Sequence, residues 1–109
     1  MIKRKLTINN LKKKIERAIP DQKNVSVYLF GSYARKGQSA ESDVDLMVLA
    51  DKENSARIIV RELYKKLSDV EIDYDILSCA TSSFRKRSDT NDLYRNILKE
   101  GIVLYGKGL

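Results

Sequence analysis

Apolar residues recur along this chain with two periods, and each change of period marks a new element. Ile8, Leu11, Ile15, Ala18 and Ile19 fall at three- and four-residue steps, the stripe of an amphipathic helix. Thr7 stands where an N-cap is needed, and Pro20-Asp21 ends the helix. Lys12, Lys13, Lys14 and Arg17 take its other face. From Val25 to Phe30 the pattern alternates, Val25, Val27 and Leu29 against Ser26, Tyr28 and Phe30, which predicts a strand apolar on both faces. A short helix or turn follows from Tyr33 to Lys36, then a polar loop from Gly37 to Ser42. A second strand runs from Asp43 to Leu49. Asn54 or Ser55 caps a helix reaching Leu67, striped by Ile59, Val60, Leu63 and Leu67. A third strand spans Val70 to Leu77, and a short basic helix Thr81 to Arg87. After a break at Ser88-Asp89, Thr90 or Asn91 caps a helix to Glu100, with Leu93, Tyr94, Ile97 and Leu98 apolar and Gly101 as its C′ residue. Ile102 to Tyr105 forms a last strand, and Gly106 to Leu109 a frayed tail. Strands alternating with helices predict an α/β (α+β) domain, a mixed sheet flanked by helices.

The second strand departs from a plain amphipathic pattern. Asp43, Asp45, Met47 and Leu49 share one face, so a face that begins with carboxylates turns into core. That is the pattern of a site at the end of a sheet. Asp43 and Asp45 lie about 6–7 Å apart at ~3.3 Å rise per residue, and two such carboxylates repel unless a cation lies between them. Oxygen-only ligands suit Mg²⁺, which is held by one or two carboxylates together with substrate phosphates. Taken alone, the pair would read as solvated carboxylates at a strand entrance. Upstream, however, the first strand runs directly into Gly31-Ser32. Glycine permits a sharp turn and close backbone approach; the following amides favour phosphate, and Ser32 adds a hydroxyl. Alone, that pair would be an ordinary strand-to-helix turn with Ser32 as N-cap. The third strand puts Glu71, Asp73 and Asp75 on one face, and periodicity admits any of the three as a further carboxylate.

Composition narrows the chemistry. The 109 residues suffice for one core, so one domain is expected over 1–109. The chain is 42% hydrophobic and 33% charged, as in an ordinary globular protein. No apolar run approaches the ~20 residues of a membrane span, and no apolar segment follows the basic N-terminus as in a secretory signal. The single Cys79 cannot form an internal disulfide, which fits a cytoplasmic setting. The absence of histidine excludes Ser-His-Asp and Cys-His catalysis and His-ligated zinc. Chemistry must therefore run on carboxylates, hydroxyls, a metal, Lys or Arg. The net charge of +6 is spread over Lys3–Lys5, Lys12–Lys14, Lys65-Lys66 and Arg85–Arg87. These read as solvated helix faces, and nothing in the aromatic spacing points to stacked bases. A basic surface around an acidic site would still attract polyphosphate or an acidic protein.

Gly31-Ser32, then residues 33 to 42, then Asp43-Val44-Asp45 together resemble the nucleotidyltransferases of the DNA polymerase β superfamily, whose signature is Gly-Ser, ten residues, Asp-x-Asp. The flanking text, LFGSYAR before and SDVDLMV after, is similar to the minimal nucleotidyltransferase (MNT) branch. One departure is Lys36, where that branch has Gly; Gly37 comes one place late. The resemblance runs from Val25 to Tyr105. It implies a nucleotidyltransferase fold and a two-metal transfer of AMP from ATP, with Gly31 and Ser32 on the nucleotide and Asp43 and Asp45 on Mg²⁺. The third metal carboxylate comes from a neighbouring strand, and YDILSCATSSFRKR ranks Asp75 first and Asp73 second. The resemblance also implies an antitoxin that attaches AMP to a HEPN-domain toxin. Rival expectations are an antitoxin that only masks its partner, and nucleotidylation of a small molecule.

Overall fold

The structure, a computed structural model, describes residues 7–19, 21–36, 43–67 and 72–109. The expected loop from Gly37 to Ser42, the helix-ending Pro20, the N-terminal lysines and the start of the third strand with Glu71 lie outside these residues. Helix α1 (Ile8–Ala18) begins where Thr7 directs it: the Thr7 hydroxyl accepts from the Asn10 amide at 3.0 Å. Leu11, Ile15, Ala18 and Ile19 are buried, while Lys12, Lys13 and Arg17 are exposed and Lys14 is half-buried. Strand β1 (Ser26–Phe30) runs straight into α2 (Gly31–Lys36). Then come β2 (Val44–Ala50), α3 (Glu53–Lys66), β3 (Tyr74–Ala80), α4 (Thr81–Arg87), α5 (Asp92–Glu100) and β4 (Ile102–Tyr105).

The sheet is mixed, with order β3-β2-β1-β4. Strand β1 is antiparallel to both β2 and β4, and β2 is parallel to β3. Because side chains alternate, the sheet divides its apolar residues between two cores. One face carries Val27, Leu29, Val44, Leu46, Val48 and Ile76 against Leu11 and Ile15 of α1 and Ile59 and Leu63 of α3. The other carries Tyr28, Met47, Leu49 and Cys79 against Phe84 of α4 and Ile97 of α5. Phe84 stacks on Tyr94 with ring centroids 4.8 Å apart, which joins the two short helices into one lid on that face. Among the described residues no helix is long and apolar enough to cross a membrane.

Five expectations need correction. The third strand starts at Tyr74 and ends at Ala80: its limits follow the parallel ladder, which matches Val44–Ala50 residue for residue, and local alternation could not reveal the partner. Helix α3 begins at Glu53, with Lys52 at the N-cap position and no side-chain cap bond, rather than after Asn54 or Ser55. On α5, Leu93 and Leu98 are 42% and 37% exposed, so its apolar stripe is only partly covered. Gly101 caps α5 at φ −66°, not in the left-handed conformation of a C′ glycine. It is small because a Cβ there would strike the Ile97 carbonyl and approach the Tyr28 ring to 3.0 Å. The C-terminal tail is not frayed. Gly108 N donates to Ser26 Oγ at 3.2 Å, and Leu109 N donates to the Tyr28 hydroxyl at 2.8 Å.

The outer edge of β3 carries a related cap. Ile76 N, in the edge strand, donates to the hydroxyl of Tyr64 on α3 at 3.0 Å. The Tyr28 hydroxyl holds the tail in the same way, so Tyr28→Phe should release it. The expected outcome is fast hydrogen exchange at the Leu109 amide and a loss of about 1 kcal/mol in chemical denaturation, with the sheet amides still protected.

Candidate active site

The β2–β3 ladder decides which carboxylates meet. Asp45 and Asp75 are direct Cα partners in it, and in-register neighbours across a parallel pair point to the same side. That side is the Met47–Leu49–Cys79 core, so both carboxylates stand at its open end. Asp45 is half-buried; Asp43, just before the strand, and Asp75 are exposed. Burial pushes the Asp45 carboxyl above its usual range, and the charges of Asp75 and then Asp43 push it further. Asp73 is exposed ahead of β3 and uses its backbone carbonyl to accept from Val44 N at 2.9 Å. Its charge is not among the causes acting on Asp45. Asp45 and Asp75 are thus neighbours in register, Asp43 lies near enough for its charge to act on Asp45, and Asp73 stands on the margin.

Gly31 is fixed by the same carboxylate. Its φ is +78°, a conformation side chains resist, and an added Cβ would collide with Asp45 Oδ2 and lie 3.2 Å from its Cγ. The sequence suggests a turn-forming glycine; the structure adds that the space of its missing side chain is filled by Asp45. Ser32 follows, half-buried on the first turn of α2. Tyr33 anchors that turn from beneath: it is 4% exposed and packs into the α1/α3 core. Its hydroxyl is buried with no hydrogen-bond partner among the described residues, and burial raises its pKa.

Among the described residues no Lys or Arg forms an ion pair with Asp43, Asp45 or Asp75. Nor do three His, Cys, Asp or Glu side chains there stand close enough to enclose a metal ion. Asp43, Asp45 and Asp75 offer oxygen donors alone, the chemistry that suits a hard cation completing its shell with phosphate oxygens and water. A groove of about 80 Å³ between α2 and α5 is lined by Phe30, Gly31 and Ala34 and by Leu93, Asn96, Ile97 and Glu100. No sequence signal marked it, because Leu93 on its wall reads as part of a core stripe. Larger clefts, about 490 and 540 Å³, lie at the opposite end of the sheet around Val25 and Asp51. Neither includes any of these carboxylates.

A family model described as polymerase beta nucleotidyltransferase matches residues 13–108. Two relatives come from Methanocaldococcus jannaschii, both under the provisional name protein adenylyltransferase. MJ1379 is 32% identical over 91 residues, 79% of this chain and 91% of that protein. MJ0604 is 30% identical over 79 residues, 72% and 76% of the two chains. Among solved structures, a toxin-antitoxin with AMP-PNP aligns over 94% of this chain and 75% of its own, with TM-score 0.55 and 27% identity. A mutant of the toxin-antitoxin MntA-HpeT aligns over 94% and 74%, with TM-score 0.55 and 29% identity.

The site makes two predictions about the metal-free protein. A carboxyl whose pKa is raised on folding binds its proton more tightly in the folded state, so stability falls as pH rises from the unfolded value through the folded one. Lowering the pH from neutral toward the ordinary aspartate range should therefore stabilise the protein locally, and Asp45→Asn should raise its Tm by a few degrees at pH 7. A lower Tm for Asp45→Asn would contradict this. Gly31→Ala should lower stability by about 1–3 kcal/mol in urea unfolding, from overpacking and backbone strain. Pairing it with Asp45→Ala should recover the overpacking part.

Proposed function

The chain belongs to the polymerase beta nucleotidyltransferase family, and we propose that it transfers AMP from ATP to a hydroxyl of a partner protein, as the antitoxin of a toxin-antitoxin pair. The observation that carries this reading is the half-buried Asp45, set beside Asp75 in register and against Gly31, with its charge unmatched by any described basic side chain. Such a carboxylate is poorly placed for stability alone and well placed for a cation that arrives with phosphate.

Asp43 and Asp45 would hold Mg²⁺ on the triphosphate and Asp75 a second ion, which together would neutralise the phosphoryl oxygens and lower the pKa of the acceptor hydroxyl. Ser32 and the amides after Gly31 grip the β- and γ-phosphates and keep the leaving pyrophosphate aligned. Asp45, in the middle of the three, orients the α-phosphate between leaving group and acceptor. The relatives' names support a protein acceptor. The toxin-antitoxin structures similar to this chain, one of them with AMP-PNP, support a toxin as that acceptor. A HEPN-type toxin is the partner that the sequence resemblance implies, with a cytoplasmic setting.

Incubation with α-labelled ATP, Mg²⁺ and a lysate of the protein's own source should label a single small protein. Asp43→Ala or Asp45→Asn should cut that labelling by about 10³-fold or more, the scale of several kcal/mol of lost phosphoryl-charge stabilisation. Asp73→Asn should leave most of it. Labelling undiminished in Asp45→Asn would overturn the assignment; toxin neutralisation without any labelled protein would favour a masking antitoxin.

A further inference from the structure

We propose that Phe30 is a positioning residue for the transfer, its ring forming the wall that holds the Asp45 carboxylate turned toward Gly31. This rests on the nucleotidyltransferase reading above, and Phe30 acts through Asp45 rather than on the reacting atoms. Phe30 and Asp45 are Cα partners in the antiparallel β1–β2 ladder, as Asp45 and Asp75 are in the parallel β2–β3 ladder. Partners directly opposite share a face, so the rung at the open end of the sheet reads Phe30, Asp45, Asp75 on the lid side. The next rung inward is Tyr28, Met47, Leu77. Asp45 is thus flanked by an aromatic ring on one strand and a like charge on the other, with an apolar row behind it.

Three observations favour the ring as what directs the carboxylate. First, Asp45 Oδ2 fills the space that a Cβ on Gly31 would need. Gly31 continues β1, and β1 and β3 flank β2 on opposite sides. Asp45 therefore turns away from Asp75, as repulsion between two carboxylates favours. Second, that turn brings the carboxylate past Phe30, since the Cβ atoms of directly opposed residues lie only about 4.5–5.5 Å apart. Third, Phe30 is itself fixed. It is half-buried and packs against the cluster that includes Met47, Phe84 and Ile97, and it lines the groove between α2 and α5 beside Gly31. A fixed ring leaves Asp45 little choice among the three staggered wells about its Cα–Cβ bond. Without the ring the carboxylate can swing into the space vacated, and a cation must then select one arrangement from several. In the sequence Phe30 reads only as the last apolar residue of a strand; its place opposite Asp45 comes from the register.

Three-bond couplings from the backbone to the Asp45 Cγ, measured by NMR on the full chain without metal or nucleotide, read that choice directly. They should report one arrangement in the wild type and an average over several in Phe30→Ala. Mn²⁺ affinity without nucleotide, followed by electron paramagnetic resonance, should fall about threefold, the number of wells made available. Labelling of the lysate protein from α-labelled ATP should lose about tenfold in its rate at saturating ATP, with the half-saturating ATP concentration changed less than about twofold. Phe30→Leu, which keeps an apolar wall, should restore most of the couplings, the affinity and the rate. Should Phe30→Ala fail to fold, Phe30→Val takes its place in each comparison. A single Asp45 arrangement in the folded Ala or Val variant would overturn the proposal. So would losses of rate and melting temperature that Phe30→Leu shares in full, which would make the ring a filler of the lid core. A wild-type chain that labels nothing and binds no Mg²⁺-ATP would instead sink the nucleotidyltransferase reading, and the role in transfer with it. The couplings, read without nucleotide, tell the two failures apart.

Discussion

The parallel pairing of β2 with β3 is the constraint on which the candidate site depends. Its register places Asp75 directly beside Asp45, and its apolar continuation, Met47 and Leu49 beside Leu77 and Cys79, fixes that register, so the two carboxylates keep adjacent places on one face. The apolar pairs farther along the two strands hold the charges together. Hydrophobic burial in one half of the strand pair thus offsets electrostatic repulsion in the other, a division consistent with functional sites carrying strain that the surrounding fold supports.

The site sits at a sheet end for a related reason. Both β2 and β3 begin there, so the carboxylates come from strand starts, where side chains share a face but backbone packing is incomplete. The α4/α5 lid covers the far part of the same face through Phe84 and Ile97 and stops short of Asp45. Helix α2 closes the near side from β1, with Tyr33 sunk into the opposite core. The result is a polar opening bounded by two independently packed hydrophobic clusters.

Much of this was legible in the sequence, and the reasons differ by element. The Gly31-Ser32 turn and the Asp43/Asp45 pair were readable because both depend on local geometry: a turn that needs glycine, and a two-residue period that fixes a shared face. Helices α1 and α4 and strand β4 were readable for the same reason. Asp75 over Asp73 was not decidable from periodicity, since both share a face; the parallel register brings Asp75 beside Asp45. Leu93 and Leu98 counted as core on spacing alone, but α5 is a short helix, with Ile97 its one buried residue and Tyr94 packed beside it. The anchored tail was missed because its partners, Ser26 and Tyr28, lie more than eighty positions upstream, beyond any local pattern.

The Tyr64 hydroxyl at the outer edge of β3 bears on how this protein behaves in a crowd. An unpaired strand edge is a template on which another chain can assemble, and Tyr74–Ala80 is apolar enough to invite it. With the amide of Ile76 already engaged, an incoming strand finds a missing rung in the middle of the ladder and must first evict an aromatic ring. Growth of the sheet into aggregates is thereby hindered by a side chain from the neighbouring helix, and the end that carries Asp45 and Asp75 stays accessible while the edge beside it resists recruitment.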